Sequence, residues 1–264
     1  MLMKIKLFPN KNNDSLFIAD ILKDELKNNG FSLVESAYDL AIAIGGDGSF
    51  LHMVNANDFN TNIRYIGINN GTLGFLQEIK PTELSSFIQN LKDEEFKEEL
   101  ISYENIKIVT NDEAYYFKSL NETVIRDMNL STAYLKVYIN GTFLETFVGD
   151  GLMISTPIGS TAYNMSCNGA IIFNGIHTLQ VTPIAPINNN IYRTISNPIV
   201  LPEDRIIKLV PTNRTTDIML LVDGVNHLIK NVNYIEIRVS DTKLKCLRMN
   251  DYDYTNIIND KFLN

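Results

Sequence analysis

Leu40-Ala41-Ile42-Ala43-Ile44 runs directly into Gly45-Gly46-Asp47-Gly48-Ser49-Phe50. Five apolar residues in succession fit a strand buried on both faces of a parallel sheet. The glycines end it, and a helix is expected over 49–56. In open α/β sheets ligands bind beyond the carboxyl ends of the strands, so the turn at 45–48 is where a site is expected. Glycine lets the backbone come close to a phosphate, and the helix that follows offers free N–H groups and a positive dipole end. Asp47 is the one functional side chain in the turn. A carboxylate beside phosphates repels them unless it holds a metal or accepts a proton; a tight turn with a capping Asp is the competing reading. The chain has no G-x-x-x-x-G-K-[ST], and its glycine spacing does not match G-x-G-x-x-G, which disfavours a P-loop enzyme and an ordinary Rossmann dehydrogenase.

Outward from this stretch, strand-like and helix-like patterns alternate. Strands are expected over 3–8, 31–34 and 64–68, a helix over 15–28 ending before Gly30, and another after Pro81. Alternation of this kind implies an α/β domain with an open, mostly parallel sheet. Near residue 100 the pattern changes to short β-rich runs separated by turns, with Asn140-Gly141 a strong hairpin signal. The expected organisation is therefore two domains, α+β overall. Residues 1–100 form the α/β domain, and residues 101–248 form an all-β, sandwich-like domain. The tail from about 249 to 264 carries a closing helix that packs back on the first domain.

Composition sets the limits. The 264 residues carry 23 Lys+Arg against 31 Asp+Glu, a net charge of −8, with 45% hydrophobic residues. That is globular composition, and its acidic balance argues against nucleic acid as a partner. The start MLMKIKLFPNKNNDS turns polar too soon for a secretory leader, and no apolar run approaches the ~18 residues of a membrane span. Two cysteines, Cys167 and Cys246, are too few for a disulfide framework or a zinc site. A cytoplasmic protein without a membrane partner is expected.

A second glycine loop, Asn69-Asn70-Gly71-Thr72-Leu73-Gly74-Phe75, follows the next strand. Phe75 either walls a base or fills the core, and core filling is the more common fate of such a residue. The β-rich half holds three clusters: Asn121-Glu122, Gly149-Asp150-Gly151, and the run Ser155-Thr156-Pro157-Ile158-Gly159-Ser160-Thr161-Ala162-Tyr163-Asn164-Met165-Ser166. In the last, Pro157 and Gly159 make a turn, and Ser160 or Thr161 is expected to cap a helix whose first turn can donate to a ligand. Each cluster alone reads as a satisfied turn or cap, but twelve such particular residues are more than a turn.

Taken together, GGDGSF, NNGTLGF, Asn121-Glu122, GDGLMISTPIGSTAYNMS, TPIAPINN and SNPIVLP resemble the NAD kinases of the bacterial, ATP- or polyphosphate-dependent type, over most of 40–202 and the Val222-Asp223-Gly224 turn. GGDG alone is shared with lipid and sugar kinases; STPIGSTAY is the specific element. The resemblance implies transfer of the terminal phosphoryl group of ATP or polyphosphate to the 2′-hydroxyl of the adenosine ribose of NAD. It makes Asp47 the general base, with Gly45, Gly46 and Gly48 giving room to the donor phosphates and a divalent metal, Mg²⁺, assisting. The metal's ligands are not identified. Asn121 and Glu122 would bind the dinucleotide, and Asp150 its nicotinamide-side ribose or amide. Thr161, Ala162, Tyr163, Asn164, Met165 and Ser166 would line the adenine and ribose site, and Ala185 would contact the ligand through its backbone. Gly48, His52 and Phe75 complete the expected NAD contacts, with a plain surface histidine an equal reading of His52.

Three positions depart from the family pattern: Val148, where a basic residue is common, Ile158, where Thr or Ser is usual, and Asn168, in place of a glycine. Family members form homodimers or homotetramers, so a homo-oligomer is expected. The alternatives are a lipid or sugar kinase of the same GGDG superfamily and a non-catalytic NAD(P) sensor, though pure binding has no need of the Asp47 carboxylate.

Overall fold

Strand β1 (Lys4–Pro9), helix α1 (Asn13–Asn28) and the short strand β2 (Ser32–Leu33) open the chain in a computed structural model that describes residues 3–71 and 74–263. Thr72 and Leu73 of the second glycine loop lie outside the described residues. The Asn12 side chain caps α1 by accepting the Ser15 N–H at 2.8 Å. Ile18, Leu22 and Leu26, four apart, with Ala19 form the helix's buried stripe. Strand β3 (Leu40–Ile44) is buried at all five positions, as its unbroken apolar run requires. Helix α2 (Asp47–Ala56) starts two residues earlier than expected, so Asp47 is already in its first turn. Strand β4 (Arg64–Ile68), a 3-10 turn at Pro81–Glu83, helix α3 (Leu84–Asp93) and strand β5 (Lys97–Ile101) follow.

The middle of the chain is almost entirely strand: β6 (Glu104–Thr110), β7 (Ala114–Ser119), β8 (Glu122–Asp127), β9 (Ala133–Ile139), β10 (Thr142–Gly149) and β11 (Gly151–Ser155), then a single helical turn α4 (Tyr163–Ser166), then β12 (Thr178–Ile184), β13 (Ile199–Pro202), β14 (Ile207–Pro211), β15 (Ile218–Val222), β16 (Val225–Ile229) and β17 (Val232–Val239). They make two six-stranded antiparallel sheets, in the orders β10-β9-β14-β17-β6-β7 and β13-β12-β11-β8-β15-β16. One core joins them: Ile106, Leu135, Val137 and Ile235 from the first sheet with Ile125, Leu152, Ile154 and Leu220 from the second. This is a sandwich, built from the alternate residues of each strand. Asn140 and Gly141, both at positive φ (47° and 78°), turn β9 into β10.

Strand β18 (Leu244–Arg248) then returns to the first sheet, parallel to β4 and antiparallel to β5, and helix α5 (Tyr254–Phe262) ends the described chain. The first sheet has the order β2-β1-β3-β4-β18-β5 with β3 near its middle. Two units result, one of residues up to 101 together with those from 243, the other Ser102–Thr242. The expected boundary at 248 therefore moves: residues 244–248 belong to the first unit. Arg248 anchors that return. Only 3% exposed, it donates to Glu99 Oε2 at 2.7 Å and Glu78 Oε2 at 3.3 Å, and it lies 4.4 Å from the centre of the Tyr252 ring. A buried guanidinium is tolerated only when paired in this way.

Candidate active site

In the first unit the turn after β3 is shaped by contacts that exclude side chains. Gly45 sits at φ +145°, where a Cβ would come within 2.4 Å of Ser49 Oγ. Gly74 faces Asp47 so closely that a Cβ there would lie 2.3 Å from Oδ1. The Asp47 carboxylate accepts backbone N–H groups from the second glycine loop with both oxygens, Phe75 at 3.1 Å and Leu76 at 3.0 Å. The Gln77 amide donates to the Gly46 carbonyl, fastening the same two loops. Gly46 and Gly48, by contrast, have open space where a Cβ would stand. The Ser49 N–H donates to the Gly46 carbonyl at 2.8 Å, while the N–H groups of Asp47 and Gly48 have no partner within the helix and sit at its positive dipole end. A carboxylate oxygen has two lone pairs, so each Asp47 oxygen keeps one acceptor site.

His52 is exposed on α2, five residues and so about 140° around the helix from Asp47. Phe75 is buried, its ring centre 5.4 Å from that of Phe262 and 6.1 Å from that of Tyr254 on α5. Its ring fills core; its backbone N–H holds Asp47.

In the second unit Asn121 and Glu122 are fixed from behind by Asp223. That residue takes φ 47° in the turn between β15 and β16, followed by Gly224 at φ 80°. Its half-buried carboxylate accepts Ser119 Oγ at 2.7 Å, the Leu120 N–H at 2.8 Å and the Asn121 N–H at 2.7 Å. The Asn121 carbonyl accepts the Thr156 N–H at 3.0 Å, and Gly159 approaches so near that a Cβ there would lie 2.0 Å from this carbonyl oxygen. Asn121 Oδ1 and Glu122 Oε2 are buried with no partner among the described residues. Burial, with the Asp223 charge nearby, pushes the Glu122 carboxyl up to about 8, against the opposing pull of the Tyr163 N–H. At neutral pH Glu122 thus carries a proton and donates as well as accepts. Glu104, fully buried on β6, receives Thr123 Oγ1 at 2.5 Å, and burial raises its carboxyl as well.

The run 155–166 is stitched from inside. Ser160 Oγ accepts the Ile172 N–H at 3.0 Å. Asn164 is fully buried: its Oδ1 accepts Thr182 Oγ1 at 2.6 Å, and its Nδ2 donates to the carbonyls of Ser160 and Ala170 at 3.3 and 3.5 Å. Gln180 returns to Ala170 with both ends of its amide. The expected cap is corrected here. Neither Ser160 nor Thr161 caps a helix; Ala162 precedes the single turn of α4 with no side-chain bond, because Ser160 is spent on Ile172 and Thr161 Oγ1 reaches back to the Ile158 carbonyl at 3.4 Å. Tyr163 and Ser166 are exposed, and Thr161, Ala162 and Met165 are partly so. Of the departing positions, Val148 and Ile158 are buried, and Asn168 takes φ 61°, a left-handed conformation in which Asn is the usual substitute for glycine.

Asp150 lies exposed between β10 and β11, and its N–H bonds the Ile184 carbonyl at 3.0 Å, so the turn faces Ala185 at the end of β12. A Cβ on Gly149 would meet the Ala185 carbonyl oxygen at 2.8 Å. Ala185 itself is exposed at φ 43°.

The structure thus brings together Gly45, Gly46, Asp47, Gly48 and the Phe75 backbone in one unit. In the other it brings together Asn121 and Glu122 with Tyr163, and Asp150 with Ala185. Asn164 braces its loop with every polar atom. Sequence reasoning missed Gln77, Arg126 and Glu104; for Asp223, the Asp-Gly pair between two β runs signalled a turn but not what its carboxylate holds. No group of three His, Cys, Asp or Glu side chains able to hold a metal occurs among the described residues. No helix of the described residues is long and apolar enough to cross a membrane. A cleft of about 310 Å³ beside α5, with Glu78, Glu83, Asp251, Asp253 and Asp260 in its walls, includes none of the expected residues.

The chain matches the ATP-NAD kinase N-terminal domain over residues 9–96 and the ATP-NAD kinase C-terminal domain over 112–249. It is 39% identical to the NAD kinase of Finegoldia magna, covering 98% of this chain and 97% of that one. To the NAD kinase of Latilactobacillus sakei it is 33% identical, over 99% and 98%. Among solved structures it resembles the yeast NADH kinase complexed with NADH (TM-score 0.82, 20% identity, 99% of this chain and 87% of that one). It also resembles an NAD kinase from Archaeoglobus fulgidus in complex with ATP (TM-score 0.74, 17% identity, 98% of each chain). At those two identities the likeness bears on the fold.

Proposed function

The chain belongs to the NAD kinase family, and from that premise we propose how its own residues perform the reaction. The terminal phosphoryl group of ATP passes to the 2′-hydroxyl of the adenosine ribose of NAD, giving NADP and ADP. The hydroxyl oxygen bonds the terminal phosphorus, the bond from phosphorus to the ADP oxygen breaks, and the hydroxyl proton goes to Asp47. The observation that carries this is the Asp47 carboxylate itself, held by two backbone N–H groups at the start of α2 between glycines that leave open space. Two fixed bonds aim the carboxylate, and the remaining lone pair on each oxygen is free for a proton. Phosphoryl transfer asks mainly for positioning and charge stabilisation, so a carboxylate with helix-end N–H groups for the donor's phosphates is a sufficient protein contribution.

Asn121 and a protonated Glu122 bind the dinucleotide with their unpaired buried atoms, Asp150 and the Ala185 backbone contact its nicotinamide side, and Thr161 to Ser166 form the adenosine wall. In that wall Asn164 acts by bracing. The metal reading is narrower. Each Asp47 oxygen already accepts one N–H group and keeps a single site, which the proton of the hydroxyl requires, and no three-ligand cage occurs among the described residues. These residues fit no resident ion; the Mg²⁺ we propose travels on the donor's phosphates, where it neutralises their charge. A cytoplasmic homo-oligomer, dimer or tetramer, completes the proposal, and sedimentation velocity tests the assembly.

The decisive experiment offers the purified protein NAD, Mg²⁺ and either ATP or polyphosphate, with NADP read by a coupled dehydrogenase. NADP is expected with ATP. A chain that yields none with either donor refutes the reading.

A further inference from the structure

Successive side chains of a strand alternate faces, so Glu122, Val124 and Arg126 of β8 share one. The two polar members of that row grip the same residue. The Glu122 carboxyl accepts the Tyr163 N–H, and Arg126 Nη2 donates to Tyr163 Oη at 2.7 Å. Tyr163 is therefore held at both ends along β8, and its ring remains exposed. Gly151 on the neighbouring strand β11 makes room for this: a Cβ there would come within 2.8 Å of Arg126 Cγ.

The guanidinium is far from spent. It carries five N–H donors in a planar fork, a shape that matches a phosphate. One is given to Tyr163, and Nε is buried with no acceptor among the described residues. No Asp or Glu pairs with Arg126 among the described residues, although the chain as a whole has eight more acidic than basic groups. A half-buried cation without a carboxylate, one hydrogen bond from a residue of the proposed adenosine wall, is matched to an anion brought by the ligand.

We propose that Arg126 is a specificity-determining residue of the dinucleotide site: it fixes the Tyr163 phenol with one arm and takes a phosphate oxygen next to the bound adenosine with another. The proposal rests on the adenosine wall assigned above, but its test needs no turnover. Titration calorimetry with adenosine and with AMP isolates the phosphate. The native protein is expected to bind AMP about ten- to hundredfold tighter than adenosine, the range of one charge-assisted contact. Arg126→Met should bring AMP down to the affinity of adenosine while adenosine itself moves less than about twofold. Arg126→Lys should restore part of the gap, and Tyr163→Phe should leave it standing. The gap of the native protein should also narrow with added salt.

The proposal is overturned if the native protein shows no gap, or if Arg126→Met keeps it. It is also overturned if that variant loses adenosine and AMP equally, since Arg126 then acts through Tyr163 alone. Thermal melts of each variant against the native chain separate misfolding from these outcomes, and Arg126→Lys, which keeps charge and length, decides the matter if the Met variant is unstable. Failure of the kinase reading looks different: absent NADP in the coupled assay, whatever the calorimetry gives.

Discussion

The loop after β3 and the run 155–166 both carry residues of the proposed site, and they are built on opposite plans. The first keeps its polar groups for a guest. Gly46 and Gly48 border empty space, the Asp47 and Gly48 N–H groups are uncommitted within the helix, and one carboxylate is aimed by two backbone donors. The second spends its polar groups on itself: Thr156, Ser160, Asn164 and Gln180 all bond within the loop or its underlying strands. A short motif can carry chemistry because little else is asked of it. A long, distinctive motif owes most of its residues to architecture and leaves a few, Tyr163 and Ser166 among them, to face outward.

If that contrast is right, substitutions in the two loops fail in different ways. The largest effect is expected at Asp47. Asp47→Asn should lower kcat by about 10²–10⁴-fold in the coupled assay, the usual range for a positioned base, with NAD affinity by calorimetry changed less than about threefold. Near-normal turnover would remove Asp47 from the role of base. In the second loop the damage should be to the fold. Gly159→Ala forces a methyl to 2.0 Å from the Asn121 carbonyl oxygen; it should cost about 3 kcal/mol in urea unfolding, at the upper end of overpacking. A variant as stable as the native chain would show that the loop is not fastened there.

Asn164→Ala should cost somewhat less, about 2 kcal/mol, for the unpaired Thr182 hydroxyl and Ser160 carbonyl it leaves behind, with kcat preserved in the fraction that remains folded. A selective fall in kcat at full stability would overturn its assignment as a brace. The next effect is one of slope. Glu122 is raised from 4.5 to about 8 in the folded chain, so between those values the native state holds more protons than the unfolded state. Stability therefore falls as pH rises across that window and levels off above it. Glu122→Gln should remove this component, so that melting temperatures of variant and native chain converge or cross from about pH 5 to pH 8 in the variant's favour; parallel curves would refute the shift. Smallest of all is Gly48→Ala. With nothing within 4 Å of the new Cβ and a helical position to occupy, it should leave the melting temperature unchanged or slightly raised. A large loss of stability would mean that the first loop is packed like the second.

The same contrast explains what could be read from sequence. Periodicity and glycine placement are local, and they located β3, the turn after it, α1 and the 140–141 hairpin, while the change in pattern fell beside Ile101, where the first unit's opening segment ends. The destination of a strand is not local. Leu244–Arg248 reads like any other short β run, and only its pairing with β4 and β5 assigns it to the first sheet. Side-chain partnerships across long separations were equally hidden. Nothing near Asp223 says that its carboxylate holds residues 119–121, and nothing near Arg126 says that it meets a tyrosine 37 positions on. Asn164 adds another case: the family motif says nothing of its buried partners, the Thr182 hydroxyl on β12 and the Ser160 carbonyl within the loop.

The late arrival of β18 also bears on how the molecule is made. During synthesis β4 emerges from the ribosome early, yet the neighbour that covers its far side is among the last segments translated, after the whole of residues 102–242. For most of that time the nascent chain presents an unpaired parallel edge, the kind of template that other chains can join. The inserted sandwich has no such wait, because its own ends are tied together by the Tyr103–Thr242 hydroxyl contact at 2.9 Å and the Ser240–Tyr103 backbone bond at 2.8 Å. Termination just past residue 242 would therefore release a chain whose second unit is complete and whose first sheet still lacks β18, a species for quality control to recognise by that sheet alone.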